Sequence, residues 1–401
     1  MVTSDVLAPA EENAIAAAIA AAAAAGEPLR LSGGDSKHAM LRPVQAARAL
    51  SLANHRGITL YSPKELVLRA RAGTPLPEIE ATLAEQGQHL IAEPPDLSAL
   101  FGAPRPATLG GTVAANLSGP RRVAWGAMRD HVLGMRAVNG TGEVIRSGGR
   151  VLKNVTGLDL CKLLAGSHGT LAAITEITLK VLPAAEAAGT VALLGLDATA
   201  GVAALAAALG SPFSVSGAAY LPEDAAARVG FPRAVALARI EDFAPSVTYR
   251  TEKLRGDLAG CGGTAEILDD AASRALWRAV RDAAPLPATG EDAVWRVSVR
   301  PSAGPGVLAA AMAAGLRGYL DWGGGLVWLA GPATTAAHAA VERAARAGGG
   351  TWMLLRGPEP LAAAVAVIPE EPAALARITR QVKAAFDPRG ILNPGRLYAG
   401  L

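Results

Sequence analysis

Cysteine is nearly missing from this chain: Cys161 and Cys261 are the only two in 401 residues. Two thiols far apart in sequence cannot supply the four thiolates of an iron–sulfur cluster, so any such cluster has to sit on another chain. Histidine is sparse too. Beyond residue 186 only His338 occurs, in an alanine-rich stretch (335–345) with no second ligand at metal-binding spacing, and no metal site is expected. Aromatic residues make up 4% of the chain and the net charge is +3, with no basic stripe interleaved with aromatics, which excludes the nucleic-acid-binding class. Asp5 precedes the first basic residue and no apolar core follows it, so no secretory leader and a cytoplasmic location are expected. The longest uncharged run, 198–222, has the length to cross a bilayer but is broken by Gly201, Gly210, Ser211, Pro212, Ser214 and Ser216, and no membrane span is expected. There is no GxxxxGK[ST], HExxH or GxSxG pattern.

What the chain has is bulk and periodicity. Hydrophobic residues are 51% and charged residues 18%, the balance of a globular protein, and the length favours two packed units. Ile15 and Ile19 mark a helix over 11–25 with Gly26 as its cap; a short strand at 29–31 follows. Alternation over 65–72 reads as a strand, and Leu76, Ile79 and Leu83 mark a helix face closed by Gly87. Residues 131–138 and 143–146 flank Asn139-Gly140-Thr141-Gly142 as a hairpin, and 172–182 reads as a strand. Around 183–189 the pattern shifts to helices (199–209, 271–283, 307–316) alternating with strands such as 295–300. The tail 386–396 is rich in turn formers and reads as an ordered return segment.

Three segments carry candidate chemistry. Ser32, Gly33, Gly34, Asp35, Ser36 and Lys37 follow a strand; their backbone N–H groups can form an anion-holding concavity to which Lys37 adds charge, and the same composition also makes an ordinary turn. In 106–119, Thr108, Leu109, Gly110, Gly111, Asn116, Ser118 and Gly119 combine close backbone approach with hydrogen-bonding side chains, or else form a glycine-rich connection. In 157–174, a short helix capped by Asp159 leads through Gly166, Ser167, His168, Gly169, Thr170 and Leu171 into a strand containing Ile174. His168 and His131 are candidate bases and Arg121 and Arg122 candidate carboxylate holders; a lone histidine in such a loop also reads as a backbone-bonded residue. Gly304-Pro305-Gly306-Val307-Leu308-Ala309 formally matches GxGxxA, but Pro301, Ser302 and Ala303 loosen the turn that a dinucleotide site requires.

In their order and spacing the three segments resemble the FAD-binding domain of the vanillyl-alcohol oxidase / p-cresol methylhydroxylase superfamily. The resemblance implies an α+β fold: an FAD-binding domain over 1–185 of two α/β subdomains (about 1–55 and 56–185), a mixed α/β cap domain over 186–385, and the return segment 386–401. It implies that Ser32 to Lys37 hold the pyrophosphate, that Thr108 to Gly111 with Ser118 and Gly119 line the ribityl and isoalloxazine side, and that Gly166, Ser167, Gly169, Thr170, Leu171 and Ile174 reach the adenine and ribose. Relatives that bind flavin covalently carry a histidine where Asp35 stands, so noncovalent FAD is implied, with His38 a bystander.

Residues 70–76, 118–122, 129–134, 153–157, 321–325 and 391–396 are similar to the FAD-binding E-type subunits of glycolate oxidases. That likeness implies an FAD-dependent oxidoreductase of CH–OH groups. It also implies oxidation of glycolate, a small 2-hydroxy acid, with a sister FAD subunit carrying the hydroxy-acid site and an iron–sulfur subunit receiving electrons; attachment to the inner membrane face through those partners is the alternative to a free cytoplasmic chain. The His-x-Gly-Asp-Gly-Asn-x-His stretch of single-chain oxidases has no counterpart here, which places turnover by this chain alone in doubt. The alternatives are a stand-alone oxidase or dehydrogenase of another small 2-hydroxy acid and a flavin-bearing structural subunit. Trp322, within Asp-Trp-Gly-Gly-Gly, reads either as a core aromatic or as a residue facing the flavin or a partner.

Overall fold

In the computed structural model, residues 5–150 and 158–401 are described; the expected segment 153–157 lies outside them. The architecture is α+β, in two compact units. The first comprises 1–117, 127–184 and 370–401, and the second 118–126 and 185–369. The first unit thus takes the chain back at Glu370, earlier than the turn formers suggest, because the helix Ala373–Phe386 belongs to it.

A three-stranded sheet opens the first unit, with Arg48–Ser51 between Asp5–Leu7 and Leu29–Ser32 in parallel pairing. The helix Glu12–Ala25 buries Ile15, Ile19 and Ala22, and it stops where Gly26 takes a left-handed φ of 67° and its N–H turns back to the last carbonyls. The antiparallel sheet of the same unit runs in the order Ile58–Ser62, Val67–Arg71, Ala172–Pro183, Val132–Asn139, Val144–Gly148, and Gln88–Leu90 pairs with the far end of Ala172–Pro183. The hairpin at its edge is closed by Asn139, whose Oδ1 accepts the backbone N–H groups of Thr141 and Glu143 at 3.0 and 2.9 Å. Leu76, Ile79 and Leu83 of the helix Leu76–Ala84 lie in the core of this unit.

The tail is fastened by a buried charge cluster. Lys383 Nζ donates to Asp387 Oδ2 (2.7 Å), Thr170 O (2.7 Å) and Leu392 O (3.0 Å), while Asp387 accepts the N–H groups of Ile391 and Leu392. Leu392 then pairs with Leu29 as a parallel bridge, so the return segment lies beside the strand that leads into the first glycine loop.

The second unit is an eight-stranded antiparallel sheet in the order Thr264–Leu268, Ala187–Leu194, Val235–Asp242, Val215–Leu221, Arg317–Asp321, Leu326–Gly331, Ala293–Ser298, Thr351–Arg356. Helices pack on it through single faces: Asp270–Arg281 buries Ser273, Leu276, Trp277 and Val280, and Trp277 Nε1 donates to Thr190 Oγ1 at 3.0 Å. His338 sits in the core of the helix Thr335–Ala347, its Nδ1 accepting from Trp295 Nε1 at 3.1 Å, and burial pushes its pKa down. Gly304 begins the helix Gly304–Ala313, and a side chain there would strike the backbone of Gly324, which marks it as a packing glycine. Among the described residues no helix is long and apolar enough to cross a membrane, and no His/Cys/Asp/Glu group could hold a metal ion.

Candidate functional site

A cleft of about 120 Å³, partly open to solvent, lies within the first unit. Its walls come from the first loop, from the second glycine segment and from the start of the strand Ala172–Pro183, the three places singled out in the sequence. From those segments the cleft gathers Ser32, Gly33, Gly34, Asp35, Ser36, Lys37, Thr108, Gly110, Gly111, Gly169 and Ile174.

Local geometry explains the residue choices. The second segment is a short helix, Leu109–Ala114, rather than a loop, and Thr108 caps it by accepting the Gly111 N–H at 3.4 Å. A side chain on Gly33 would run into Thr108, and one on Gly34 would place its Cβ 2.6 Å from Pro106 O, so the two glycine segments meet backbone against side chain with nothing between. Gly110 lines the cleft by its backbone only, since a Cβ there would point to Ala72 and stand 2.6 Å from its Cβ. Gly111 faces inward, and its Cβ would lie 3.7 Å from Lys37 Nζ.

The cleft is cationic. Burial lowers the Lys37 pKa to about 8 against the pull of Asp96. Arg396 is lowered to about 10, by burial and then by the nearby Arg30. The Arg396 guanidinium donates to the carbonyls of Lys37, His38 and Arg42, which turns the tail into a brace for the first loop. Asp35, at φ 59°, is ion-paired with Arg30 at 2.6 Å, so its charge is balanced. Asn393 joins two walls: its Oδ1 accepts the Leu31 N–H at 2.8 Å and its Nδ2 donates to His168 O at 2.8 Å. His168 lines the cleft with a left-handed φ of 52°, and burial together with the Arg396 and Lys37 charges lowers its pKa to about 3, leaving a neutral imidazole. His38 also lines the cleft, with Nδ1 3.3 Å from Asp35 O.

Seven of the residues expected to hold the cofactor do not line the cleft, nor do Asn116, Arg121, Arg122 and His131. Leu109 is fully buried in the core, and Leu171 packs against it. Gly166 donates its N–H to Val113 O; Ser167 O accepts from Thr170, and Thr170 O accepts from Lys383, so these residues shape the loop from behind. Ser118 and Gly119 belong to the second unit, where Gly119 O accepts Trp322 Nε1 at 3.1 Å. Arg121 is committed there as well: its Nε donates to Glu241 at 3.0 Å and a second nitrogen completes a bidentate pair, which removes it as a carboxylate holder. Arg30, Asn393 and Arg396 were missed because their roles depend on contacts distant in sequence. The signal available was an Asn and an Arg set among turn formers at 393–396.

Residues 4–148 match the model of an FAD binding domain and 370–397 that of the C-terminal domain of FAD linked oxidases. The fold is similar to that of p-cresol methylhydroxylase with substrate bound, at a TM-score of 0.74 and 13% identity, covering 98% of this chain and 88% of that one. Fold and matched domains define the class: an FAD-dependent oxidoreductase. The chain is 36% identical to glycolate oxidase subunit GlcE of Escherichia coli (strain K12), over 93% of either chain, and it belongs to that subunit family. It is also 38% identical to glycolate oxidase subunit GlcD of Bacillus subtilis (strain 168), over 27% of this chain and 22% of that one.

Proposed function

We propose that the chain holds FAD noncovalently in the cleft of its first unit and serves as an FAD-carrying subunit of a complex that oxidises glycolate to glyoxylate. The observation that carries this reading is the cleft itself: backbone of Gly33, Gly34 and Gly111 in its walls, and the buried Lys37 with its Nζ 3.7 Å from where a Cβ of Gly111 would stand. The first loop and Lys37 hold the pyrophosphate, Thr108, Gly110 and Gly111 pass along the ribityl side, and Gly169 and Ile174 border the adenine half. Leu109, Gly166, Ser167, Thr170 and Leu171 support these walls.

FAD, when bound, supplies the hydride acceptor; the protein holds and orients it. A sister FAD subunit carries the hydroxy-acid site and an iron–sulfur subunit takes the electrons. Two features support this division: the subunit naming of the relatives, and a chain with two free cysteines and no histidine-rich metal stretch. Co-expressed with those partners, the chain is expected to support glycolate-dependent dye reduction; a complex that keeps full turnover when this chain is replaced by an FAD-deficient variant would sink the assignment.

Asp35 offers no histidyl nitrogen for a covalent link. Acid or heat is therefore expected to release the flavin into the supernatant, and fluorescence left on the denatured polypeptide band would contradict noncovalent binding.

Lys37 gives a pH signature. With the cleft empty it loses its proton near pH 8, whereas an anionic pyrophosphate favours the charged form. FAD affinity of the apoprotein is therefore expected to be highest below pH 8 and to fall above it, by up to about tenfold per pH unit. Titration of the Lys37→Met apoprotein should show weaker binding without that slope. A wild-type affinity flat from pH 7 to 9.5 would mean that Lys37 does not meet the phosphates.

A further inference from the structure

The strand Ala293–Ser298 of the second unit carries an arginine, Arg296, whose buried Nε has no hydrogen-bond partner. Its guanidinium lies over two rings, with Cζ 5.4 Å from the Trp322 ring centre and 4.9 Å from that of Trp328, which stacks in turn on Tyr319 at 6.2 Å. A second guanidinium, that of Arg122, lies 4.5 Å from the Trp322 ring. Burial and then the Arg122 charge lower the Arg296 pKa to about 10, while Tyr319 and the Asp321 carboxylate partly offset them.

The aromatic element between the two cations is held in an unfavourable backbone conformation. Trp322 has a φ of 53°, outside the range a bulky residue ordinarily adopts. It is kept there by hydrogen bonds from its N–H to Asp321 Oδ1 (2.7 Å) and from its Nε1 to Gly119 O (3.1 Å). Strain maintained by surrounding bonds is found at ligand clamps more than at packing positions. Ring faces satisfy the flat sides of a guanidinium but leave its five N–H donors, which lie in the guanidinium plane, unanswered. The group that answers them best is a planar carboxylate, through two parallel bonds.

We propose that Arg296, lying over Trp322 and Trp328 with Arg122 beside it, is a carboxylate-binding site of the second unit that takes a small carboxylic acid. The size of the acid rests on the functional reading above, since a 2-hydroxy acid and its oxidised product share this headgroup. The site itself is additional to the oxidation site assigned to the sister subunit, and occupancy here requires no turnover.

Calorimetric titration of the FAD-loaded, partner-free chain with glycolate, and with neutral glycolamide, tests it. Wild type is expected to bind glycolate and not the amide. Arg296→Gln should weaken glycolate binding by about tenfold or more, and Arg296→Lys, which keeps the charge but loses the fork, by less. Flavin content and circular dichroism are expected to match wild type in both variants. Glycolate binding unchanged in a folded Arg296→Gln chain overturns the proposal, and so does a wild-type chain that binds no carboxylate. Neither result touches the functional reading, which is judged by dye reduction in the assembled complex.

Discussion

Gly111→Val is expected to yield a folded protein that purifies almost without flavin. Gly111 lies in the first turn of the helix Leu109–Ala114, and its missing side chain would point into the cleft, 3.4 Å from Thr108 Oγ1 and 3.7 Å from Lys37 Nζ at the Cβ alone. The two methyls of valine extend beyond that point into the space assigned to the cofactor. Extra methyl groups in a packed site cost about 1–3 kcal/mol, so affinity should fall by roughly ten- to hundredfold. Gly110→Val makes the contrasting control, because its Cβ would collide with Ala72 Cβ and Ala72 O, at 2.6 and 3.0 Å, and the damage there should be to folding. His168→Asn should leave occupancy near normal: asparagine tolerates the left-handed backbone, and the hydrogen bonds that His168 gives to Ala114 O and accepts from Asn393 are made by its backbone. Flavin absorbance per polypeptide reads all three; full occupancy in Gly111→Val together with loss in His168→Asn would mean the wall is wrongly assigned.

Asp387→Ala should lower the stability of the first unit by about 3–5 kcal/mol, the usual effect of leaving one buried charge unpaired. Asp387 accepts Lys383 Nζ and two backbone N–H groups, and both side chains of the pair are nearly inaccessible. The double variant Asp387→Ala, Lys383→Met should lose less than the sum of its parts, since it removes the orphaned ammonium. Because this cluster places Asn393 and Arg396 against the first loop, FAD affinity should fall as well. Denaturation midpoints of the apoprotein, compared with FAD titration, check both effects; an unchanged midpoint would show that the tail is held by its apolar contacts alone.

Much of this frame was legible because it is written locally. The Ile15/Ile19 spacing with Gly26, the Leu76, Ile79, Leu83 face and the Asn-Gly-Thr-Gly hairpin each depend on residues within a few positions of one another, and each forms where its pattern lies. The three glycine segments come together in one cleft for a similar reason, since glycine marks places where backbone must approach closely. Long-range choices were not legible. Nothing near Arg396 shows that its guanidinium will cap carbonyls of 37, 38 and 42, and nothing near Ser118 and Gly119 shows that the chain passes into the second unit immediately after Leu117. Arg121 looked free for a substrate until Val235–Asp242 brought Glu241 to it.

On the function proposed above, this chain carries flavin for a reaction it does not complete alone. Removing a hydride from the α-carbon of glycolate requires a base for the hydroxyl proton and a cation for the carboxylate, both held at the flavin. In the FAD cleft, His168 is lowered to a pKa of about 3, which makes it a weak base, and Lys37 and Arg396 are assigned to the phosphates and the first loop. Stopped-flow mixing of glycolate with the FAD-loaded, partner-free chain measures this directly through bleaching of the flavin band. Negligible bleaching is expected of the chain alone and rapid bleaching once the partner subunits are present; bleaching of the isolated chain at the rate of the complex would make it an enzyme in its own right.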